Sequence, residues 1–330
     1  MKIGILSFAH MHAYSYIECL KKIDEVEIAG VADDDCVRGK KIAEEYHTKF
    51  YSDYHELLRT DVESVIITSE NVRHEEMTIA AAEAGKHILC EKPINANRMG
   101  ALKMIEACQR HNVKFQMAFP CRFSTPIIRV KELIDSGSLG KILAINGTNH
   151  GKMPGDWFIK KNLSGGGAVM DHTVHVVDLM RWIMKSDILK VYAEVDMKFH
   201  DIGIDDCGML MMEFDNGVFA SLDPSWSRPS KSFPTWGDVT MEIVAENGTI
   251  FFDAFNQAVN VYSESKPGHF ISFWGDNIDF EMVRYFISCV RDNIVPEVTA
   301  EDGLKALEVA LAAYESAEIN EPVELRKLWR

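Results

Sequence analysis

Three side chains of this 330-residue sequence are of the types needed to move a proton on and off a hydroxyl group. Asp171 and His175 lie four residues apart in a stretch, Gly167 to Lys185, whose apolar spacing predicts a helix, so both project from one face. A carboxylate beside an imidazole fixes its tautomer and raises its basicity, while Lys92, at the exit of a predicted strand, brings a cation to a developing oxyanion. Taken singly, each has a plainer reading. A strand-end lysine is usually solvated, an aspartate near a helix N-terminus complements the dipole, and a helical histidine often satisfies a buried polar contact. His172 adds a second imidazole and, with His150, completes a set that could hold zinc or manganese. However, His172 lies about 100° round the helix from Asp171 and points elsewhere, so we expect no metal and read His172 and His150 as substrate contacts.

These residues need a frame. Short β-branched runs alternate with helical patterns over the first 120 residues: strands at Lys2 to Leu6, Val26 to Ala32, Ser64 to Thr68, His87 to Cys90 and Val113 to Ala118, with helices between them. Runs such as VIIT and HILC are apolar throughout, as in a parallel sheet covered on both faces. The expectation is a doubly wound, Rossmann-like α/β domain over residues 1–122. Beyond it, successive strands with Asp215-Asn216-Gly217 and Glu246-Asn247-Gly248 turns predict an α+β domain, 123–330, built on a large, mainly antiparallel open sheet.

A dinucleotide fold asks for G-x-G-x-x-G after the first strand and an acid at the end of the second. The three positions here are Ser7, Ala9 and His12, none of them glycine. Ser7 and Ala9 are small, and the helix that follows still offers amides to a phosphate, with His10 in the same turn. Asp33, beside Asp34, ends the second strand where a carboxylate accepts ribose hydroxyls and repels a 2'-phosphate, which favours NAD over NADP. The competing reading of this acidic run is an N-cap for the next helix, open to Asp34 or Asp35.

The segment Ala84-Gly85-Lys86-His87-Ile88-Leu89-Cys90-Glu91-Lys92-Pro93 follows Thr68-Ser69-Glu70-Asn71-Val72-Arg73-His74. Together with Gly165-Gly166-Gly167-Ala168-Val169-Met170-Asp171 and His175, it resembles the glucose-fructose oxidoreductase, inositol dehydrogenase and rhizopine-catabolism (Gfo/Idh/MocA) family over nearly the whole chain. The resemblance implies a Rossmann domain carrying NAD or NADP, and a second domain whose sheet mediates a homodimer or homotetramer. It places Lys92, Asp171 and His175 around a reacting carbinol; the chemistry of the three side chains assigns His175 as general acid/base, Lys92 as proton relay and oxyanion stabiliser and Asp171 as orienter, with Lys92 and His175 able to exchange roles. Glu91 falls at a cofactor-side acid, and Ser69, Asn71 and His74 fall on the nicotinamide-side loop. The glycine-free turn departs from the pattern. Trp157, with Phe158 and Trp226, could wall a sugar ring or pack in the core. Arg122 could meet an anionic substrate group or tie the domains together, and Asp178 is expected in a buried salt bridge.

Composition narrows the remaining classes. Fifty acids against 35 bases give a net charge of -15, a field that repels nucleic acid and anionic membrane surfaces. The longest apolar run, Val309 to Tyr314, is far below the roughly 18 residues of a membrane span. Seven scattered cysteines suggest neither a disulfide framework nor a zinc knuckle, and the expected compartment is the cytoplasm. The leading expectation is an NAD-dependent oxidoreductase acting on a ring alcohol or ketone of a sugar, glycoside or cyclitol. Its alternatives are transient oxidation with retained NAD, and a dinucleotide- or sugar-responsive binding protein without turnover.

Overall fold

A computed structural model describes residues 1–256, 258–262, 269–273 and 275–328. In the N-terminal part β1 (Lys2–Leu6), α1 (His12–Leu20), β2 (Glu27–Ala32), α2 (Cys36–Glu45), β3 (Phe50–Tyr51), α3 (Tyr54–Leu58), β4 (Ser64–Ile67), α4 (His74–Glu83), β5 (His87–Cys90), α5 (Arg98–Arg110) and β6 (Phe115–Met117) alternate. Their strands pair in parallel in the order β3-β2-β1-β4-β5-β6, the doubly wound arrangement expected. The apolar run of β4 is buried at all four positions, as a central strand covered on both faces requires. Asp35 is the acid that caps α2, accepting Val37 and Arg38 amides at 3.0 Å, which settles the cap between Asp34 and Asp35.

The chain continues through α6 (Thr125–Asp135), β7 (Ile142–Gly151), α7 (Lys161–Ser164), α8 (Ala168–Met184), β8 (Ile188–Asp196), β9 (Cys207–Phe214), β10 (Phe219–Asp223), β11 (Gly237–Ala245) and β12 (Gly248–Asp253). It ends with β13 (Ala258–Tyr262), β14 (His269–Phe273), α9 (Ile278–Arg291), α10 (Ala300–Ile319), β15 (Val323–Glu324) and α11 (Leu325–Leu328). Seven strands form one sheet in the order β12-β11-β7-β10-β9-β8-β15, antiparallel except where β10 runs parallel to β7. Helix α8 covers one face: a Cβ added at Gly147 in β7 would meet Met180 and Val176 at 2.8 and 2.9 Å. The opposite face keeps Met209, Met211, Phe219, Val244 and Phe251 exposed.

The chain divides into two compact units. One holds Met1–Pro120, Asp156–Gly166 and Asp279–Glu308, and the other holds Cys121–Gly155, Gly167–Ile278 and Val309–Arg330. A single cut at 122/123 lies beside the first crossing, but two later segments return to the first unit. In that unit α9 buries Met282, Val283 and Phe286 fully. The Met117 amide donates to Val298 O at 3.0 Å and the Ser15 hydroxyl to Asp279 at 2.5 Å.

Candidate active site

The turn after β1 achieves without glycine what a glycine would do. Ser7 takes a left-handed conformation, φ 73°, at a cost of about 1–2 kcal/mol for a residue with a Cβ. Three hydrogen bonds hold it there: its amide to Ala32 O at 2.7 Å, the Thr68 hydroxyl to its carbonyl at 2.6 Å, and the Ala9 amide to its hydroxyl at 3.1 Å. A cavity of about 190 Å³ opens at the C-terminal ends of β1 and β2, lined by Ser7, Asp33, Asp34, Tyr54 and Arg73 among others.

Asp33 corrects the simple ribose reading. Its Oδ1 accepts Arg38 Nη2 at 2.7 Å and the Asp35 amide at 2.9 Å, while Oδ2 accepts the Phe8 amide at 2.9 Å and Arg38 Nε at 2.8 Å. Both oxygens are therefore engaged, and a ribose must displace Arg38 to reach them. Asp34 is paired with Arg73 at 2.6 Å. Sequence reasoning passed over Arg38, although its place in the first turn of the helix after the acid was the available signal.

At the end of β5, Glu91 is wholly buried and Lys92 is 4% exposed. Glu91 accepts hydrogen bonds from the Tyr16 hydroxyl, from His12 Nδ1 at 2.9 Å and from the Lys92 amide at 3.1 Å, with His10 Nε2 at 3.8 Å. Burial would raise the Glu91 pKa, but the charges of His10 and His12 hold it well below the usual carboxylate range. Burial likewise opposes charge on His12, and the Glu91 carboxylate outweighs it, raising His12 above an ordinary imidazole.

The residues expected beside a nicotinamide brace loops of the first unit. Asn71 donates to Ser164 O at 2.8 Å, and the Ser69 hydroxyl donates to Glu70 O at 3.2 Å. His74 sets Nδ1 2.9 Å from Pro93 O and Nε2 3.3 Å from Ser69 O, and burial pushes its pKa below the ordinary value. Trp157 stacks on Phe158, ring centroids 3.9 Å apart, and donates to Ala9 O at 3.0 Å. It braces the turn after β1, which is the packing role of the two open to it, and not that of a free wall for a sugar ring.

In the second unit, α8 carries Asp171, His172 and the half-buried His175. Its first amides are capped from outside the helix. Asp205 accepts Gly167 and Val169 N–H at 2.8 Å each, its carbonyl accepts Ala168 N–H at 3.1 Å, and the Tyr314 hydroxyl takes Gly167 and Met170 N–H at 3.1 Å. The helix that bears the acid and imidazole is thus fixed at its origin.

His172 does not turn away from Asp171. Its Nδ1 reaches Asn149 O in β7 at 2.8 Å, which swings Nε2 to 3.4 Å from Asp171 Oδ2. Because a carbonyl brings no proton, Nδ1 must carry one, and Nε2 faces the Asp171 carboxylate. A proton placed between them is shared. The indole of Trp226, fully buried, donates to the same Asp171 oxygen at 3.2 Å, so Trp226 holds the acid and leaves no ring face for a sugar.

Two other expected contacts are committed elsewhere in this unit. Arg122 forms a buried two-point pair with Asp178 at 2.8 and 2.5 Å, which is the salt bridge expected of Asp178 and leaves Arg122 no substrate anion to meet. Strand alternation in β7 aims His150 at the face opposite α8, 3.0 Å from Asp223 and 3.3 Å from Asp238, away from His172 and Asp171. Burial opposes charge there, yet the hydrogen bonds that the ring donates to the two aspartates raise His150 to about 9.

What the second unit's groups can do chemically is hold and move protons at a buried carboxylate–imidazole pair; the first unit, by itself, holds the buried Lys92. Residues 1–119 match the model of an oxidoreductase family with an NAD-binding Rossmann fold, and residues 127–251 match the GFO/IDH/MocA C-terminal domain. The chain is similar to a myo-inositol 2-dehydrogenase of Thermotoga maritima, 28% identical and covering 99% of both chains. It is also similar to an NADP-linked D-xylose 1-dehydrogenase of Haloarcula marismortui, 27% identical over 84% of this chain and 79% of the relative. Among solved structures, a probable dehydrogenase from Thermotoga maritima superposes with a TM-score of 0.86 at 26% identity, covering 99% of each chain.

Proposed function

Because the chain belongs to the Gfo/Idh/MocA oxidoreductase family, with its NAD-binding Rossmann fold, we propose that it is a dehydrogenase acting on a ring secondary alcohol, or the matching ketone, of a sugar or cyclitol. The observation that carries this reading is the pair Asp171 and His172, buried together on a capped helix one turn before His175. The first unit fits a dinucleotide: Ser7 makes the tight turn, and the cavity beside Asp33 and Asp34 lies where the strand order reverses. Bound there, the nicotinamide supplies the hydride acceptor or donor.

The remaining chemistry falls to the protein. His175 takes the hydroxyl proton as the alcohol is oxidised and returns it in the reverse direction. Asp171 and His172 hold a shared proton beside it, and the Lys92 ammonium stabilises the oxyanion. NAD is the preferred dinucleotide in this reading because three carboxylates, Asp33, Asp34 and Asp53, line the adenosine cavity. The exposed apolar face of the second sheet supports a homodimer or homotetramer. Seven free cysteines are in keeping with a reducing cytoplasm, and no helix among the described residues is long and apolar enough to cross a membrane.

Titration with NADH and NADPH, followed by a screen of sugars and cyclitols and by Lys92→Ala, tests the proposal. Expected are binding of NADH, turnover of a ring polyol, and loss of turnover in Lys92→Ala with cofactor binding retained. Protein free of retained cofactor that binds neither dinucleotide would refute it.

A further inference from the structure

We propose that His10, His12 and Glu91 form a site for one divalent transition-metal ion of the zinc class, set in the turn after β1. One ligand atom from each of the three lies within 4.8 Å of the others. His12 Nδ1 stands 2.9 Å from Glu91 Oε1, and His10 Nε2 stands 3.8 Å from Oε2, so one carboxylate oxygen faces each ring. Two imidazoles and one carboxylate are a donor set suited to zinc and its neighbours, and three protein ligands leave a coordination position open.

The surroundings are those of a built site. Glu91 is 0% and His10 1% exposed, while His12 is the part-exposed member through which an ion would enter. The His10 ring is walled by Phe158 and Trp157, centroids 5.2 and 5.9 Å away, and the Tyr16 hydroxyl orients the Glu91 carboxylate. Of the two histidines, His12 stands at the third fingerprint position, where a dinucleotide turn would carry glycine.

Binding has a definable cost. The His12 amide donates to His10 Nδ1 at 3.2 Å, and an ion on Nε2 leaves the proton on Nδ1, so that amide must turn to water. The hydrogens now lying between the rings and Glu91 must also leave. The loss of these hydrogen bonds, that between His12 and Glu91 among them, is set against three metal–ligand bonds. The proposal does not depend on the dehydrogenase reading, which routes no step through a metal.

The test uses the full chain, free of any tag and stripped with a chelator, titrated with Co²⁺ as an optical probe and then with Zn²⁺. The expected result is one Co²⁺ per chain with visible d–d absorption, abolished by stoichiometric Zn²⁺. Both His10→Ala and His12→Ala should weaken binding by roughly a hundredfold or more. His111→Ala, at an exposed histidine elsewhere in the first unit, should bind as the parent does. Circular dichroism checks each fold, and His12→Asn replaces His12→Ala if the latter does not fold. Failure of the parent to take up Co²⁺, or parental affinity in the folded His12 variant, overturns the site. NADH titration of the same stripped protein reads the dehydrogenase proposal separately.

Discussion

Asp205 and Gly167 meet so closely that the glycine has no room for a side chain: the Asp205 carboxylate accepts the Gly167 amide at 2.8 Å, and a Cβ built on Gly167 would lie 1.8 Å from the Asp205 carbonyl oxygen. Backbone lies against backbone there, so neither side can yield by a rotamer change. Gly167→Ala is expected to cost about 3 kcal/mol or more in urea denaturation. Asp205→Asn, which keeps one acceptor, should cost on the order of 1–2 kcal/mol. A Gly167→Ala protein with parental stability would mean that the cap is not formed.

Removing one member of the Arg122–Asp178 pair strands a charge in the core of the second unit. Asp178→Ala should destabilise by about 3–5 kcal/mol, whereas replacing both residues by apolar side chains of similar size should recover most of that loss. The double-mutant cycle in denaturant measures the difference directly.

His150 gives the fold a pH dependence of its own. Its folded pKa, about 9, exceeds the unfolded value of 6.5, so the protonated ring favours the folded state. That contribution is complete below 6.5 and is lost as pH rises through about 9. With the side chain 18% exposed, a discounted figure is about 2 kcal/mol. The lowered Asp223 is the other side of the same pair and is not added to it. Stability profiles across this window should slope downward in the parent and less steeply in His150→Gln, where the raised His12 still contributes.

Arg38 should tune the choice of dinucleotide. While it clamps Asp33 it offers a cation near a 2'-phosphate and delays the ribose hydroxyls. Arg38→Ala is expected to raise the preference for NADH over NADPH by about tenfold, or 1.4 kcal/mol. Paired fluorescence titrations read that ratio, and an unchanged ratio would show that Arg38 plays no part in selection.

Much of this was legible in the sequence because it depends on local pattern. Lys2–Leu6, His87–Cys90, Cys207–Phe214 and Ala300–Ile319 stand at the boundaries their periodicity predicts. Phe50–Tyr51 and Tyr54–Leu58 were missed because two and five residues are too short to show a period. The parallel pairing of β10 with β7 is a long-range event that hairpin turns do not signal. At the site, the chemical residues were visible but their partners were not. His172 faces Asp171 because a β7 carbonyl draws its far nitrogen, and helical rotation alone could not show that. His150 lies on the other side of the sheet because of a strand register that only the folded chain defines. The Asp205 and Tyr314 cap joins positions far apart in sequence with α8, so no spacing rule would have found it.

The return of Asp279–Glu308 to the first unit sets an order for synthesis. Met117 and Ser15 wait for Val298 and Asp279, and the fully buried faces of Met282 and Phe286 have no counterpart in the first 120 residues. As the chain leaves the ribosome, the nucleotide-fold sheet therefore emerges well before residues 279–308, and its apolar side stays open until they have followed. A nascent chain arrested after β6 would carry that open surface for the whole time the second sheet is being made, which makes this interval the natural point for chaperone engagement.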